Sequence, residues 1–487
     1  MKRALIIGSG IAGLAAAIRL KQKGYLVDVF EASSTVGGKI GTLEKDGFRW
    51  DTGPSLFTMP GLIKELFDLC DENLEDYFSY IQKETICNYF WEDGTSFSVH
   101  ADEGQFINDL AVLLGEDKSL IKSYLARSKA KYKLTEPVFL NQSLHIWKNY
   151  FKPKTLKAFA KSTSLDLFKS LDELNKEYFK NSKSVQFFNR FATYNGSSPY
   201  KTSGIMSMIP SLEMNYGTYF PKKGMRSIVD SLYELAKRQG VEFHLNEKVQ
   251  RIETTSNKVS GLKTVKDTYK AAIVVSNMDV HYVYEELLPE KRKPKRILNQ
   301  EKSSSALIFY WGVKKSFQQL DLHNVFFSDN YEKEFESLFE KKEIFNDPTI
   351  YINISSKEKP DDAPEGMENW FVMVNAPANY GQNWSSLIAE AKSNILKKLE
   401  RCLGENVGEL IISEEILDPI KIDNETKSFR GSLYGNSSNS RYSAFFRHPN
   451  FNRIRNLYFC GGSVHPGGGI PLSLKSAKIV SDLIPKL

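Results

Sequence analysis

At 487 residues, with 41% hydrophobic and 25% charged residues, the chain is too long for one simple domain. Its make-up is that of an ordinary globular protein, which excludes a disordered, collagenous or coiled-coil design. The formal charge of +6 is concentrated: Lys122 to Arg190 holds 15 Lys/Arg against 5 Asp/Glu, an excess of +10, and the remainder is near −4.

In chain order, "RALII" (3–7) predicts a short buried strand. "GSGIAGLAAAIRLKQKG" predicts a turn and a helix ending at Gly24, and "LVDVFEA" a second strand closing at Glu31. Together they make one β-α-β unit with a right-handed crossover. The basic, apolar and small residues at the start imitate a signal peptide, but the glycine spacing fits the β-α-β reading better. From about 60 to 210 helical patterns dominate, broken near Pro137 and Pro153. Inside that region "HIWKNYFKPKTLKAFAKS" interleaves lysines with Trp147, Tyr150, Phe151 and Phe159. The mixture suits anionic lipid headgroups; its charge also attracts nucleic acid, and the plain alternative is a solvated helical face. From Gly217 the pattern is turn, helix and strand, and "KAAIVVSNMDVHYVY" gives a buried strand ending in a polar turn. Residues 303–380 read mainly as strands, and "WSSLIAEAKSNILKKLERCLG" as a helix. "NLYFCGGSVHPGGGIPLSLKSA" (456–477) predicts a strand, a glycine-rich turn and a terminal helix. No fixed-period repeat occurs, and no run reaches the roughly 18 apolar residues of a membrane-spanning helix. Four scattered cysteines, Cys70, Cys87, Cys402 and Cys460, and seven dispersed histidines offer neither CxxC nor HExxH, so no disulfide framework and no metal are expected.

Gly8, Gly10 and Gly13 form GxGxxG between the first strand and the helix. The first permits the tight turn, the second lets a pyrophosphate approach the backbone, and the third lets the helix pack on the strand. Unpaired N–H groups and the helix dipole attract the phosphates. Glu31, 23 residues after Gly8, stands where a carboxylate accepts bonds from ribose hydroxyls. These features point to a dinucleotide and leave NAD and FAD open. "GGK" (37–39) and "DTGPSLF" (51–57) add a second N–H-rich turn nearby, suited to the flavin end or the pyrophosphate of a longer cofactor. Gly38, Lys39, Ser55 and Leu56 are its candidate contacts. The terminal turn presents Gly461 and Gly462 after a strand, then Gly469, Ile470 and Pro471 at a helix start. A helix N-terminus aimed at the pyrimidine ring of a flavin stabilises the reduced state, which carries more negative charge.

The pattern "GSGIAGLAAAIRL…VFEASSTVGGK…FRWDTGPSLF" resembles the FAD-binding region of amine-oxidase-type flavoproteins, and among them the bacterial and fungal carotenoid desaturases of the phytoene desaturase type. The resemblance continues through "YFPKKGM", where Lys223 replaces a glycine of the family turn. It places Val249 of "NEKVQRI" at the adenine end, Asn277 of "VVSNMD" near the cofactor and Leu433 of "GSLYGNSSNSRY" toward the flavin. The terminal stretch resembles the carotenoid desaturase signature, with Val464 where Thr or Ala is usual and Ser473 and Lys475 where small residues are common.

This resemblance implies an α/β fold: a Rossmann-type FAD-binding domain assembled from 1–75, 215–285 and 420–487, a mixed β-sheet substrate domain from 76–121 and 286–419, and a helical, basic, membrane-docking subdomain at 122–214. The implied activity is removal of two hydrogens beside a conjugated polyene, with a lean toward C-3,4 of a 1-hydroxycarotenoid such as a hydroxylated gamma-carotene. Phytoene or neurosporene desaturation is the alternative, and an amine oxidase or a prenyl-binding escort protein is more distant. The flavin carries the chemistry. Glu213 is a candidate proton acceptor or cation stabiliser against a plain ion pair, and His465 a candidate proton shuttle against a positioning hydrogen bond. Arg441 either meets the cofactor or pairs with an acid. With no second GxGxxG, electrons are expected to leave to oxygen or a membrane quinone. The implied partners are a carotenoid and a membrane surface, not nucleic acid, at a cytoplasmic location peripheral to the inner membrane.

Overall fold

The computed structural model describes residues 2–288, 293–440 and 443–487; Arg441 and the side chain of Phe159 lie outside the described residues. Five parallel strands lie in the order Glu242–His244, Leu26–Phe30, Arg3–Ile7, Ile273–Ser276 and Leu457–Phe459. All five fall within 1–75, 215–285 and 420–487. Side chains alternate across such a sheet. Ala4 and Ile6 of the central strand therefore meet helices, while Leu5 and Ile7 meet an antiparallel meander of Val249–Thr255, Lys258–Thr264 and Thr268–Lys270. Covering on both faces is what the unbroken apolar run "ALII" requires. The helix Ile11–Lys21 packs between Arg226–Arg238 and Ile470–Leu483. Its run Ala15–Ala17 has little side chain to hold these neighbours away, and Ile18 and Leu20 complete the contact.

The second sheet has seven strands, ordered Ile411–Leu417, Ser305–Val313, Glu368–Ala376, Ile350–Ile354, His323–Phe326, Thr85–Phe90 and Ser96–His100. Its pairings are antiparallel except for His323–Phe326 against Thr85–Phe90. One face, with Leu307, Phe309, Trp311, Ile352 and Trp370, packs under the helix Trp384–Leu403. The other face, with Ile308, Tyr310, Tyr351, Phe371 and Met373, looks into the molecule's main cavity. The strand Tyr80–Gln82 belongs to neither large sheet; it pairs with Thr218–Pro221, which also pairs with Phe57–Thr58.

One expectation is corrected here. The segment 85–100 is a hairpin, not part of a helical stretch. "DG" (93–94) allows its turn, with Gly94 at φ +86° and the Trp91 N–H donating to Thr95 O at 3.0 Å. The breaks expected near Pro137 and Pro153 are present: Lys118–Thr135 ends before Pro137, and Pro153 opens a new helix, Pro153–Ala160. The other helices of the basic region, Lys118–Thr135, Leu171–Tyr178 and Ser182–Asn189, are capped by Asp117, Ser170 and Asn181. They close over an aromatic core of Phe106, Tyr124, Phe187, Phe188 and Phe191.

Gly13 fixes how closely the first helix sits on the first strand, because a Cβ there would stand 2.1 Å from Gly8 O. Gly13→Ala is expected to cost about 1–3 kcal/mol through overpacking. Urea unfolding measures it; an unchanged midpoint would show that the turn relaxes freely.

Candidate active site

The carboxyl ends of the parallel strands open onto a cavity of about 1150 Å³. The first turn is tied at Gly8 and Ser9. Gly8 N–H donates to Phe30 O at 2.8 Å, and the Ser9 N–H and hydroxyl donate to Glu31 Oε2 at 2.9 and 2.7 Å. Ser33 N–H donates to the other Glu31 oxygen at 2.9 Å. Gly37 N–H donates to Ser9 O at 3.1 Å, so the "GGK" turn lies against the first turn. A Cβ on Gly38 would come within 3.4 Å of Gly10 Cα.

Asn277 joins this assembly to the far end of the chain. Its Oδ1 accepts the Gly13 N–H at 3.1 Å, its Nδ2 donates to Cys460 O at 3.3 Å, and its own N–H donates to Ile7 O at 2.8 Å. Side chains at the flanking glycines would collide with it: a Cβ on Gly10 would lie 2.7 Å from Oδ1, and one on Gly461 2.4 Å from Nδ2. Gly8, Gly10, Glu31, Gly38, Asn277 and Gly462 line the cavity. Gly13 does not; it is spent on packing beneath the turn.

The site's electrostatics are positive. The helices Ile11–Lys21 and Ile470–Leu483 both start at the cavity wall, at Gly10 and Gly469, without a side-chain cap. Apart from the Gly13 N–H, which Asn277 takes, their first N–H groups and dipoles are left for a ligand. Ile470 and Pro471 line the wall beside Gly469. Lys39 donates to Leu433 O at 3.0 Å, and burial lowers its pKa to about 8 against the pull of Asp279. Arg447, 2% exposed, has no carboxylate partner among the described residues. It donates instead to Tyr434 O, Asn436 O and Asn195 Oδ1 at 2.9, 3.0 and 3.1 Å, and burial lowers its pKa to about 10. Anion-seeking groups from both glycine turns on one cavity wall fit a cofactor that carries a pyrophosphate and a ring whose negative charge grows on reduction. Val249, Leu56 and Leu433 supply apolar wall between them.

"DTGPSLF" is anchored by Asp51, which accepts the N–H groups of Met225 and Arg226 at 2.7 and 3.2 Å. Gly224, at φ +83°, keeps the turn that Asp51 needs; its neighbour Lys223 is exposed. Ser55 leads out of this turn to the second sheet. Its hydroxyl lies 2.7 Å from the Tyr351 hydroxyl, which lies 2.7 Å from His323 Nδ1. Burial lowers the His323 pKa to about 3, so its ring is neutral.

Glu213 lines the cavity and is 3% exposed. Both its oxygens lie 3.4 Å from Arg190 Nη2; burial raises its pKa and Arg190 opposes the rise. His465 does not line the cavity. It is wholly buried, with Nε2 3.1 Å from Gln142 O and its ring 5.3 Å from that of Phe139. Burial lowers its pKa to about 3, so at neutral pH the ring is uncharged and its one N–H is engaged with Gln142 O of the helical subdomain. That position favours the positioning role over the shuttle. The sequence does not single out Arg190, His323, Tyr331, Tyr351 and Arg447; they are isolated polar residues in four different elements and one loop, with no shared spacing.

The family model described as flavin containing amine oxidoreductase matches residues 11–485. The chain is 56% identical over 486 residues to the 1-hydroxycarotenoid 3,4-desaturase of Flavobacterium sp. (strain P99-3), covering 100% of this chain and 99% of that protein. It is 32% identical to the 4,4'-diapolycopene oxygenase of Methylomonas sp, covering 99% of this chain and 98% of that protein. Among solved structures, wild-type putrescine oxidase bound to putrescine superposes with a TM-score of 0.64 at 14% identity, covering 99% of this chain and 98% of that one. This likeness shows a shared fold.

Asn277→Ala removes the acceptor for Gly13 and the donor to Cys460 in one step. It is expected to cost about 1–3 kcal/mol and to leave a protein purified with less bound flavin. Thermal melting and visible absorbance of the purified variant check both; full flavin content would place the link between the turns elsewhere.

Proposed function

The chain belongs to the flavin containing amine oxidoreductase family, and we propose that it is an FAD-dependent carotenoid desaturase that removes two hydrogens across C-3,4 of a 1-hydroxycarotenoid. One observation carries the reading. A single cavity runs from the cofactor turns at Gly10 and Gly462 to the apolar sheet face of Ile308, Val325, Phe371 and Met373, in a chain related along its whole length to the Flavobacterium enzyme.

Bound FAD supplies the two-electron acceptor. The substrate gives up a hydride from one carbon and a proton from its neighbour, and the C–C single bond becomes a double bond. Positive charge arising at the first carbon is delocalised along the polyene, so a strong protein base is not required. The chain's own work is to hold the polyene on the sheet face, exclude water and tolerate that charge. Among the described residues, Glu213 is the buried carboxylate that lines the cavity. In this reading its negative charge, held in place by Arg190, sits beside the substrate. The wall contacts proposed for the cofactor are Gly8, Gly10, Glu31, Gly38, Lys39, Ser55, Leu56, Val249, Asn277, Leu433, Gly462, Gly469, Ile470 and Pro471. Reduced cofactor is reoxidised by a membrane quinone or by oxygen.

The substrate resides in a bilayer, and we assign the docking surface to the basic subdomain. No described helix is long and apolar enough to cross a membrane. Trp147, Phe151 and Phe168 are 67%, 68% and 70% exposed, among Lys148, Lys152 and Lys154. Exposed aromatics among lysines suit the headgroup layer of an anionic leaflet. Phe139 and Leu140, just ahead of this patch, line the cavity and give the polyene an apolar way in.

Incubated with FAD and a 1-hydroxycarotenoid in liposomes, the protein is expected to yield a pigment lighter by two hydrogens and shifted to longer wavelength. Unchanged pigment overturns the proposal. Replacing Trp147, Phe151 and Phe168 together by Ser is expected to weaken sedimentation with anionic vesicles roughly tenfold or more; undiminished binding places the docking surface elsewhere.

A further inference from the structure

The cavity is mostly apolar, yet one part of its wall carries polar atoms with nothing to bond. His323 and Tyr331 are 3% and 5% exposed, and both line the cavity. His323 Nε2, the Tyr331 hydroxyl and Arg190 Nε are all buried without a hydrogen-bond partner. A buried polar group left unpaired costs about 1–3 kcal/mol. Three together in one place call for a polar occupant.

The three atoms belong to one cluster. His323 and Tyr351 share a sheet face: Tyr351 registers with Val325, two residues from His323. Tyr89, which registers with Val325 on the other side, lies under the Arg190 guanidinium at 5.2 Å from its ring centroid. Tyr331 follows the same strand and packs on Phe327. Its hydroxyl and the His323 ring both feel the Arg190 charge, and Glu213 completes the group through its ion pair. The cluster connects to the cofactor side through the Tyr351–Ser55 hydrogen bond.

We propose that Arg190, Glu213, His323 and Tyr331 form a pocket for the tertiary hydroxyl of the substrate, and so select hydroxylated over unsubstituted carotenoids. This rests on the desaturase reading above. A hydroxyl is both donor and acceptor. It accepts from Arg190 Nε and the Tyr331 hydroxyl and donates to the neutral His323 Nε2, which uses its full bonding capacity, while the Glu213 carboxylate holds Arg190 in place. The chemistry requires no new step. C1 stands two bonds from C3, so gripping the C1 hydroxyl fixes which bond is presented for oxidation. Binding energy taken from a group that does not react is thereby used to position one that does. An unsubstituted end group leaves the same atoms unpaired and is rejected on that account.

The test compares kcat/KM for a 1-hydroxycarotenoid and for its otherwise identical carotenoid lacking the hydroxyl, in liposomes with FAD. The holoenzyme is expected to favour the hydroxylated substrate by about a hundredfold or more. Tyr331→Phe, and Arg190→Lys, which keeps the charge facing Glu213 but lacks Nε, are each expected to shrink that ratio by about tenfold. A residue that matters only for folding would lower both rates together and leave the ratio intact. If the holoenzyme desaturates both substrates equally, or if both variants keep the full ratio, the pocket is overturned while the desaturase reading stands. If it desaturates neither, the desaturase reading itself falls.

Discussion

The structure depends on one amide side chain placed between two glycine turns. Asn277 sits at the end of a central strand, accepts from the turn that opens the chain and donates to the turn that nearly closes it. Gly10 and Gly461 have no room for a side chain because Asn277 occupies the space. The backbone of residues 8–13 and that of residues 460–462 are thereby fixed relative to each other. Two helix N-termini then face the same cavity, which is the arrangement a long, doubly anionic cofactor requires.

A second constraint is the two-faced sheet beneath the other half of the cavity. Alternation along Ser305–Val313 sends Leu307, Phe309 and Trp311 into the packed core and Ile308 and Tyr310 toward the ligand. The same strands therefore build the core and line the site. The packed face leaves little freedom for the exposed one, so cavity side chains keep their positions without a ligand. Polar groups on such a wall are costly unless used, which gives weight to the unpaired atoms of His323, Tyr331 and Arg190.

One residue that departs from the family's terminal signature serves a join between subdomains, and another packs within the cofactor half. Lys475, with a 3% exposed side chain, donates to Glu136 Oε1 and Asn141 Oδ1, both at 2.7 Å. It fastens the terminal helix to the helical subdomain, as His465 does through Gln142. Val464 is buried among Ile7, Val280 and Phe459. The helical subdomain is thus held to the terminal turn and helix by contacts, one of which a comparison of motifs reads only as an irregularity.

The sequence by itself determined the cofactor half. Glycine spacing, the acid at Glu31 and the strand-turn-helix of the terminus are local patterns, because a backbone that must approach a phosphate excludes side chains at fixed offsets. Apolar runs between 303 and 380 likewise announced four of the seven strands of the second sheet. The hairpin at 85–100 was missed, although "DG" between alternating aromatics was its signal. Only the tertiary structure decided that Arg190, Glu213, His323 and Tyr331 share one wall, that Asn277 bridges the two ends, and that His465 turns away from the cavity. Those residues come from separate elements joined by no common period. Their meeting is a product of strand order and register, which are settled by the packing of the whole sheet and leave no local mark in the chain.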